Sequence, residues 1–404
     1  MLLYNLLIVL LSPLILPFMF FRYRKRRKII LPRFIIPPSI KRGKRIWIQA
    51  ASAGETKLAN LLLETFEKRK TGFKFLLATQ TDSGFQTGKG FAEKIFAPVD
   101  LSFITGSFVR KAKPKAAVII ETEIWPNLIR SFRRNGTKIF ILNGRISRKT
   151  LPFYRIMRIF FPNLFKNFDC VLARSRKEAA RFRFLGAANV RITGNLKYDL
   201  ILEEKKKILL SPDSPAPSGI SRPLLIWGNM RGKEEEAAIE TYKKLKPDYP
   251  SLSCIYVPRH IEYTGVIEEK LKKNGIPYTF WPEPGSFMLV KKLGLLTQLY
   301  ALADICIVGG GFQPCGGQNL LEAGIWGKPV VIGPHFFHFE EIISDLRDSL
   351  FVTPQNNIYN TIGYLLKNKE NAKEKGRELA KRIEEKAGVL DKSVETILKC
   401  SALS

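Results

Sequence analysis

RIWIQAASAGETKLANLLLETFEKRKTGFKFLLAT, residues 45–79, decides the fold of this chain. RIWIQAA (45–51) and FKFLLAT (73–79) are short apolar runs without the polar alternation of a half-solvated sheet, so each reads as a strand buried on both faces. Between them Thr56–Lys70 has the apolar spacing of a helix. Strand, helix and strand in that order, with a crossover this long, make a parallel βαβ unit.

The pattern repeats outward. AAVIIET (116–122), KIFILNG (138–144) and CVLARS (170–175) are further buried strands, and VRIT before Gly194 is another strand. At 211–223 the alternation gives way to SPDSPAPSGISRP, with four prolines and four serines in thirteen residues, the composition of a linker. It restarts with PLLIWGN (223–229), SCIYVPR (253–259), ADICIVGG (303–310) and PVVIG (329–333), and Glu370–Lys399 closes the chain as charged helix. The expected fold class is α/β: two doubly wound Rossmann-like domains, 29–210 and 224–404, joined by the linker 211–223, with a ligand cleft between them. The final helix is free to pack back on the first domain.

Residues 1–21, MLLYNLLIVLLSPLILPFMFF, carry no charge, and the next seven, RYRKRRK, carry six basic side chains. The apolar stretch is about long enough to cross a hydrocarbon core of roughly 30 Å. A signal peptide would place its basic residues first, so 1–28 reads as a retained membrane anchor with its basic flank. By the positive-inside rule the body of the protein then lies in the cytoplasm. Pro13 and Pro17 leave two forms open, a spanning helix and a kinked helix lying in the interface.

Charge agrees with that asymmetry. The chain has 404 residues and a net charge of +30. Its first 210 residues hold 42 basic side chains against 13 acidic, and the rest hold 24 against 23. Such a balance implies a polyanionic partner for the first half only. No nucleic-acid module is recognisable, which favours an anionic membrane surface. Five scattered cysteines without a C-x-x-C pair exclude a disulfide framework, and three histidines with no D-x-D pair disfavour metal catalysis.

Candidate chemistry sits where strands end. Glu55 follows the first strand through Ser52-Ala53-Gly54, where a carboxylate can act as a general base; the plainer alternative is an acid favouring the helix dipole. Glu121 and Glu123 follow AAVII, and Lys197 follows VRIT; an isolated lysine is more often a solvated charge. In the second half, Gly309-Gly310-Gly311 and Gly316-Gly317 precede Asn319–Glu322, where free helix amides can hold a phosphate and Glu322 a ribose. Arg259, after the strand ending at Pro258, can grip phosphate or carboxylate or pair with a surface acid.

In combination QAASAGE (49–55), ETEIWPNL (121–128), NGRIS (143–147), GNLKYD (194–199), VPRH (257–260), GGQNLLEAGIWGKPVVIGPH (316–335) and FFHFEEI (336–342) resemble the 3-deoxy-D-manno-octulosonic acid (Kdo) transferases of lipopolysaccharide assembly. The resemblance implies a GT-B fold, CMP-Kdo as donor, a lipid A precursor as acceptor, no cofactor, and a place on the cytoplasmic side of the bacterial inner membrane. It implies Glu55 as the base, Glu121 and Lys197 as supports of the transition state, and an inverting, metal-independent transfer. For the nucleotide it implies Pro258 and Arg259, then Leu293, Gly294 and Leu295, then Asn319, Leu320, Leu321 and Glu322. The chain departs from the family pattern at Asn229-Met230-Arg231, at Leu295, where an acid is usual, and at Gln318, where histidine is usual. Another nucleotide sugar is therefore the alternative donor, and a nucleic-acid or membrane scaffold the non-enzymatic one.

Overall fold

The computed structural model describes residues 4–6, 10, 27–38, 40, 45–210 and 219–401. Two compact units make it up, Met1–Leu200 with Ala387–Ser404, and Ile201–Lys386. Most of the expected anchor at 1–28 and most of the expected linker lie outside the described residues. Among the described residues, no helix is long and apolar enough to cross a membrane.

The first unit is built on a seven-stranded parallel sheet. β1 (Arg45–Ala50) pairs with β2 (Lys74–Thr79), which carries β3 (Glu93–Phe96) at the edge. On its other side β1 pairs with β4 (Ala116–Ile120), followed by β5 (Lys138–Gly144), β6 (Cys170–Ala173) and β7 (Val190–Ile192). The strand order thus reverses between β1 and β4. Every residue of β1 and β4 is buried, as the unbroken apolar runs require. Ile46, Ile48 and Ala50 share one core with Leu58, Leu62 and Phe66 of helix α1 (Ala53–Lys68), and Trp47 and Ile119 share the other with Phe108 and Phe132. Each of the large side chains contributes about 1.5–3 kcal/mol by leaving water. Further helices of this unit are α2 (Pro126–Arg134), α3 (Leu151–Phe160) and the start of α4 (Lys197–Leu210).

The second unit repeats the plan. β8 (Leu224–Met230) lies between β9 (Ser253–Pro258) and β12 (Ile305–Val308), so the order reverses between β8 and β12. β11 (Phe287–Leu289) and β10 (Thr279–Phe280) continue beyond β9, and β13 (Val330–Ile332) and β14 (Phe351–Val352) beyond β12, all parallel. Helix α5 (Glu234–Leu245) follows β8, and α6 (Leu321–Gly324) is a single turn after the glycine-rich stretch.

Two expectations are corrected. Strands β3, β10, β11 and β14 are not among the sequence-read strands, because runs of two to four residues near a sheet edge carry too little periodicity. The closing stretch is two helices, α7 (Lys369–Glu385) and α8 (Val389–Ser401). Gly388, at φ +84°, ends the first, and the Asp199 carboxylate accepts the backbone N–H groups of Gly388, Val389 and Leu390 at 2.9, 3.2 and 3.3 Å. α8 accordingly belongs to the first unit, and the division between units falls inside α4 rather than at the proline-rich stretch.

Candidate active site

Open parallel sheets bind ligands at the carboxyl ends of the strands where strand order reverses. In the first unit that point is flanked by Glu55, after β1, and by Glu121 and Glu123, after β4. Ser52 caps α1 by accepting the Glu55 N–H, and its hydroxyl donates to Glu55 Oε1 at 3.1 Å; Ala51 N–H donates to Oε2 at 2.7 Å. This is close to a capping box, so the helix-start role is real. The electrostatics show more. Burial pushes the Glu55 carboxyl up, the Ala51 N–H opposes it, and the charges of Glu121 and Glu123 add to the rise, leaving it at about 7.

The acidic loop is held by its neighbours. Glu121 has φ +58°, an uncommon conformation for a side chain with a Cβ, and its N–H donates to Leu142 O at 2.8 Å. Thr122 Oγ1 donates to Arg145 O, and the Tyr154 hydroxyl of α3 donates to Thr122 O at 2.9 Å. Trp125 Nε1 donates to Glu123 Oε2 at 3.0 Å, which counters the upward push of burial and of Glu121 on Glu123.

Lys197 follows the far edge strand, yet it does not stay there. Asn143, near the end of β5 with φ +58°, accepts the Leu196 N–H through Oδ1 at 3.1 Å and so draws the loop before α4 back to the end of β5, the neighbour of β4. Asn195 Oδ1 then accepts the Lys197 N–H at 3.1 Å as α4 begins. The structure therefore groups Glu55, Glu121 and Glu123 closely and brings Lys197 to the neighbouring strand end.

At the reversal point of the second unit the decisive side chain is one the sequence reading passed over. Glu234, in the first turn of α5, is fully buried, and its carboxylate accepts the N–H groups of Arg231 and Gly310 at 2.8 Å each and of Phe312 at 3.0 Å. It ties the loop after β8 to the glycine loop after β12. A Cβ on Gly309 would come within 2.6 Å of Met230 Cα, so glycine is required for this approach. The available signal was Glu234-Glu235-Glu236 at a helix start, which reads equally well as a solvated complement to the dipole.

Of the remaining expected ligand residues, Arg259 is exposed at the end of β9, makes no ion pair among the described residues, and donates its backbone N–H to Met230 O at 2.9 Å. Pro258 is buried, ending β9. Leu293 is 70% exposed, Gly294 has φ +86° and Leu295 precedes a short helix. Asn319 Nδ2 donates to Glu322 Oε1 at 3.1 Å, which fixes that pair relative to each other. Leu320 and Leu321 are fully buried, so only their backbone groups can meet a ligand. The helix expected to hold a phosphate is the one-turn α6, shorter than the dipole argument assumed.

Two parallel Rossmann-like sheets, with acids at the reversal point of the first and a glycine loop at that of the second, define a doubly wound α/β class. Solved structures agree: UDP-GlcNAc 2-epimerase from Neisseria meningitidis matches with TM-score 0.65 at 13% identity, over 88% of this chain and 100% of that one. A glycosyltransferase from Rickettsia africae matches with TM-score 0.58 at 12% identity, over 89% and 99%. At such identities these show the fold alone. In sequence, residues 25–200 match the family described as 3-deoxy-D-manno-octulosonic-acid transferase (kdotransferase). The chain is 30% identical over 375 residues to the 3-deoxy-D-manno-octulosonic acid transferase of Chlamydia pneumoniae, covering 86% of this chain and 84% of the relative. With that of Aquifex aeolicus it shares 30% over 327 residues, covering 80% and 84%. The chain belongs to the Kdo transferase family and is a glycosyltransferase.

Proposed function

We propose that the chain moves Kdo from CMP-Kdo to a hydroxyl of a lipid A precursor in lipopolysaccharide assembly, with inversion and without a metal ion. The observation that carries this reading is Glu55: a half-buried carboxyl at about 7, beside Glu121 and Glu123, is tuned to take a proton near neutral pH. In the reaction the acceptor oxygen bonds to the anomeric carbon, its proton passes to Glu55, and CMP departs with the electrons of the broken bond. A phosphate monoester leaves readily, so one base suffices where glycosidases need a carboxylate pair. Lys197 and Arg259 neutralise charge on the departing phosphate and the donor carboxylate, and Asn319 and Glu322 meet the nucleotide. The names of the relatives support Kdo as the sugar.

The same proposal places residues 1–28 at an anionic inner-membrane surface, with both units on the cytoplasmic side; the support is the uncharged run 1–21 followed by RYRKRRK. Incubation of the purified chain with CMP-Kdo and a tetra-acylated lipid A precursor, followed by mass measurement of the product, tests donor, acceptor and number of sugars together. Leu295 and Gln318 single out the donor as the point to probe. Thermal stabilisation by UDP or GDP, but not by CMP, would favour another nucleotide sugar.

A further inference from the structure

Helix α3 is apolar on both of its faces. Inward, Tyr154 and Met157 are buried in the core of the first unit, with Leu151 packed against it. Outward, Phe153, Ile156, Ile159 and Phe160 are 59%, 55%, 74% and 60% exposed, a stripe at i, i+3, i+6 and i+7 that nothing covers among the described residues. Arg155 and Arg158 flank it, their guanidinium groups 5.7 and 5.9 Å from the ring of Phe184, which is itself half-exposed. Residues 145–168 hold six basic side chains and no acidic one. At the end of the helix Phe161 packs edge-to-face on Tyr4, ring centroids 5.2 Å apart, so the uncharged amino-terminal run begins beside this stripe.

We propose that α3 is an interfacial helix whose outward stripe enters the boundary between head groups and acyl chains of an anionic bilayer, and that Tyr154 thereby holds the loop bearing Glu121 and Glu123 at the membrane surface. An apolar stripe edged by arginines is the pattern such helices share. The charge selects the occupant: a second copy of this chain seated on the same face would bring two sets of cations together, whereas anionic lipid neutralises them. One consequence rests on the transferase reading: the acceptor hydroxyl is presented at the depth where the carboxylates wait.

Because the amino-terminal segment can itself bind lipid, the test reads the helix locally. Benzoylphenylalanine replaces Ile156, or as a control Lys74, in the full chain, which is then irradiated on vesicles of phosphatidylglycerol and phosphatidylethanolamine. Position 156 is expected to crosslink to phospholipid and position 74 not. The combined variant Phe153→Gln, Ile156→Gln and Ile159→Gln, with its thermal midpoint checked, is expected to bind these vesicles at least about tenfold more weakly. It should keep transfer to a detergent-dispersed acceptor and lose transfer to one embedded in vesicles. Absence of lipid crosslinks at 156 in vesicle-bound protein, crosslinks to a second chain instead, or unchanged affinity of a folded triple variant would overturn the proposal. If the unaltered chain transfers no sugar in detergent, the transferase reading fails while the crosslinking result stands by itself.

Discussion

Glu55 and Glu234 occupy equivalent places in their own sheets. Each follows the strand at which the order reverses, sits in the first turn of the next helix, and accepts an N–H from the turn before it, Ala51 at 2.7 Å and Arg231 at 2.8 Å. Their surroundings separate them. Glu234 spends both oxygens on backbone amides of a glycine loop and is closed to solvent. Glu55 has one backbone amide, a serine hydroxyl and two other carboxylates, and is only half-buried. The same residue at the same topological position is a structural tie in one unit and, in the proposed reaction, the proton acceptor in the other, because the supply of donors decides whether an oxygen is left for chemistry.

The strongest way to break this comparison is Glu55→Gln. Glutamine can still accept the Ala51 N–H, so the fold should survive while turnover falls by about 10²–10⁴, the typical worth of a general base; product mass over time measures it, and wild-type turnover would end the base assignment. Glu234→Ala should act in the opposite way. Orphaning three buried amides is expected to cost on the order of 3–5 kcal/mol in urea unfolding of the second unit. A stable Glu234→Ala protein that fails only in catalysis would exchange the two roles.

A pH profile sharpens the contrast. Glu55 is active as the carboxylate, so kcat/KM should climb about tenfold per pH unit up to about 7 and then level. The same shift acts on stability with the opposite sense. A folded-state pKa raised from 4.5 to about 7 contributes stability below about pH 4.5 that is lost as pH rises through 7. Glu55→Gln should therefore be more stable than the wild type above pH 7, by about 1–3 kcal/mol in urea unfolding, with the advantage gone below pH 4.5.

Asp199 is a third carboxylate against which to place the pair, since like Glu234 it serves three backbone amides but at the start of α8. Asp199→Ala should cost about 1–2 kcal/mol, as a lost helix cap does. Hydrogen exchange should locate the loosening in residues 389–401, and an unchanged exchange pattern there would remove Asp199 from the comparison.

Much of this was legible in the residues. Runs such as RIWIQA and AAVII can only be strands buried on both faces, and acids placed directly after them must lie at the carboxyl edge of a sheet. Glu234 was not legible, because its partners Gly310 and Phe312 are more than seventy residues away and a run of three glutamates at a helix start looks like a surface feature. GNLKYD was legible as a motif but not as a brace: Asn195 caps α4, Asp199 holds α8, and Asn143 pulls the loop back to the end of β5. The outward stripe of α3 was hidden for a related reason, since a helix with apolar residues on two faces looks buried until the packing shows which side has a partner.

By itself, then, the sequence determined the parallel α/β class, the strand ends at which chemistry can sit, and the family to which the motifs belong, since buried periodicity and short contiguous motifs are local properties. Only the tertiary structure decided which acids are tied up by backbone amides and which are left with an oxygen to spare, where α8 belongs, and which face of α3 is left open. Each of those turns on distant backbone amides, neighbouring charges and burial, and these come into contact only when the sheet order is set.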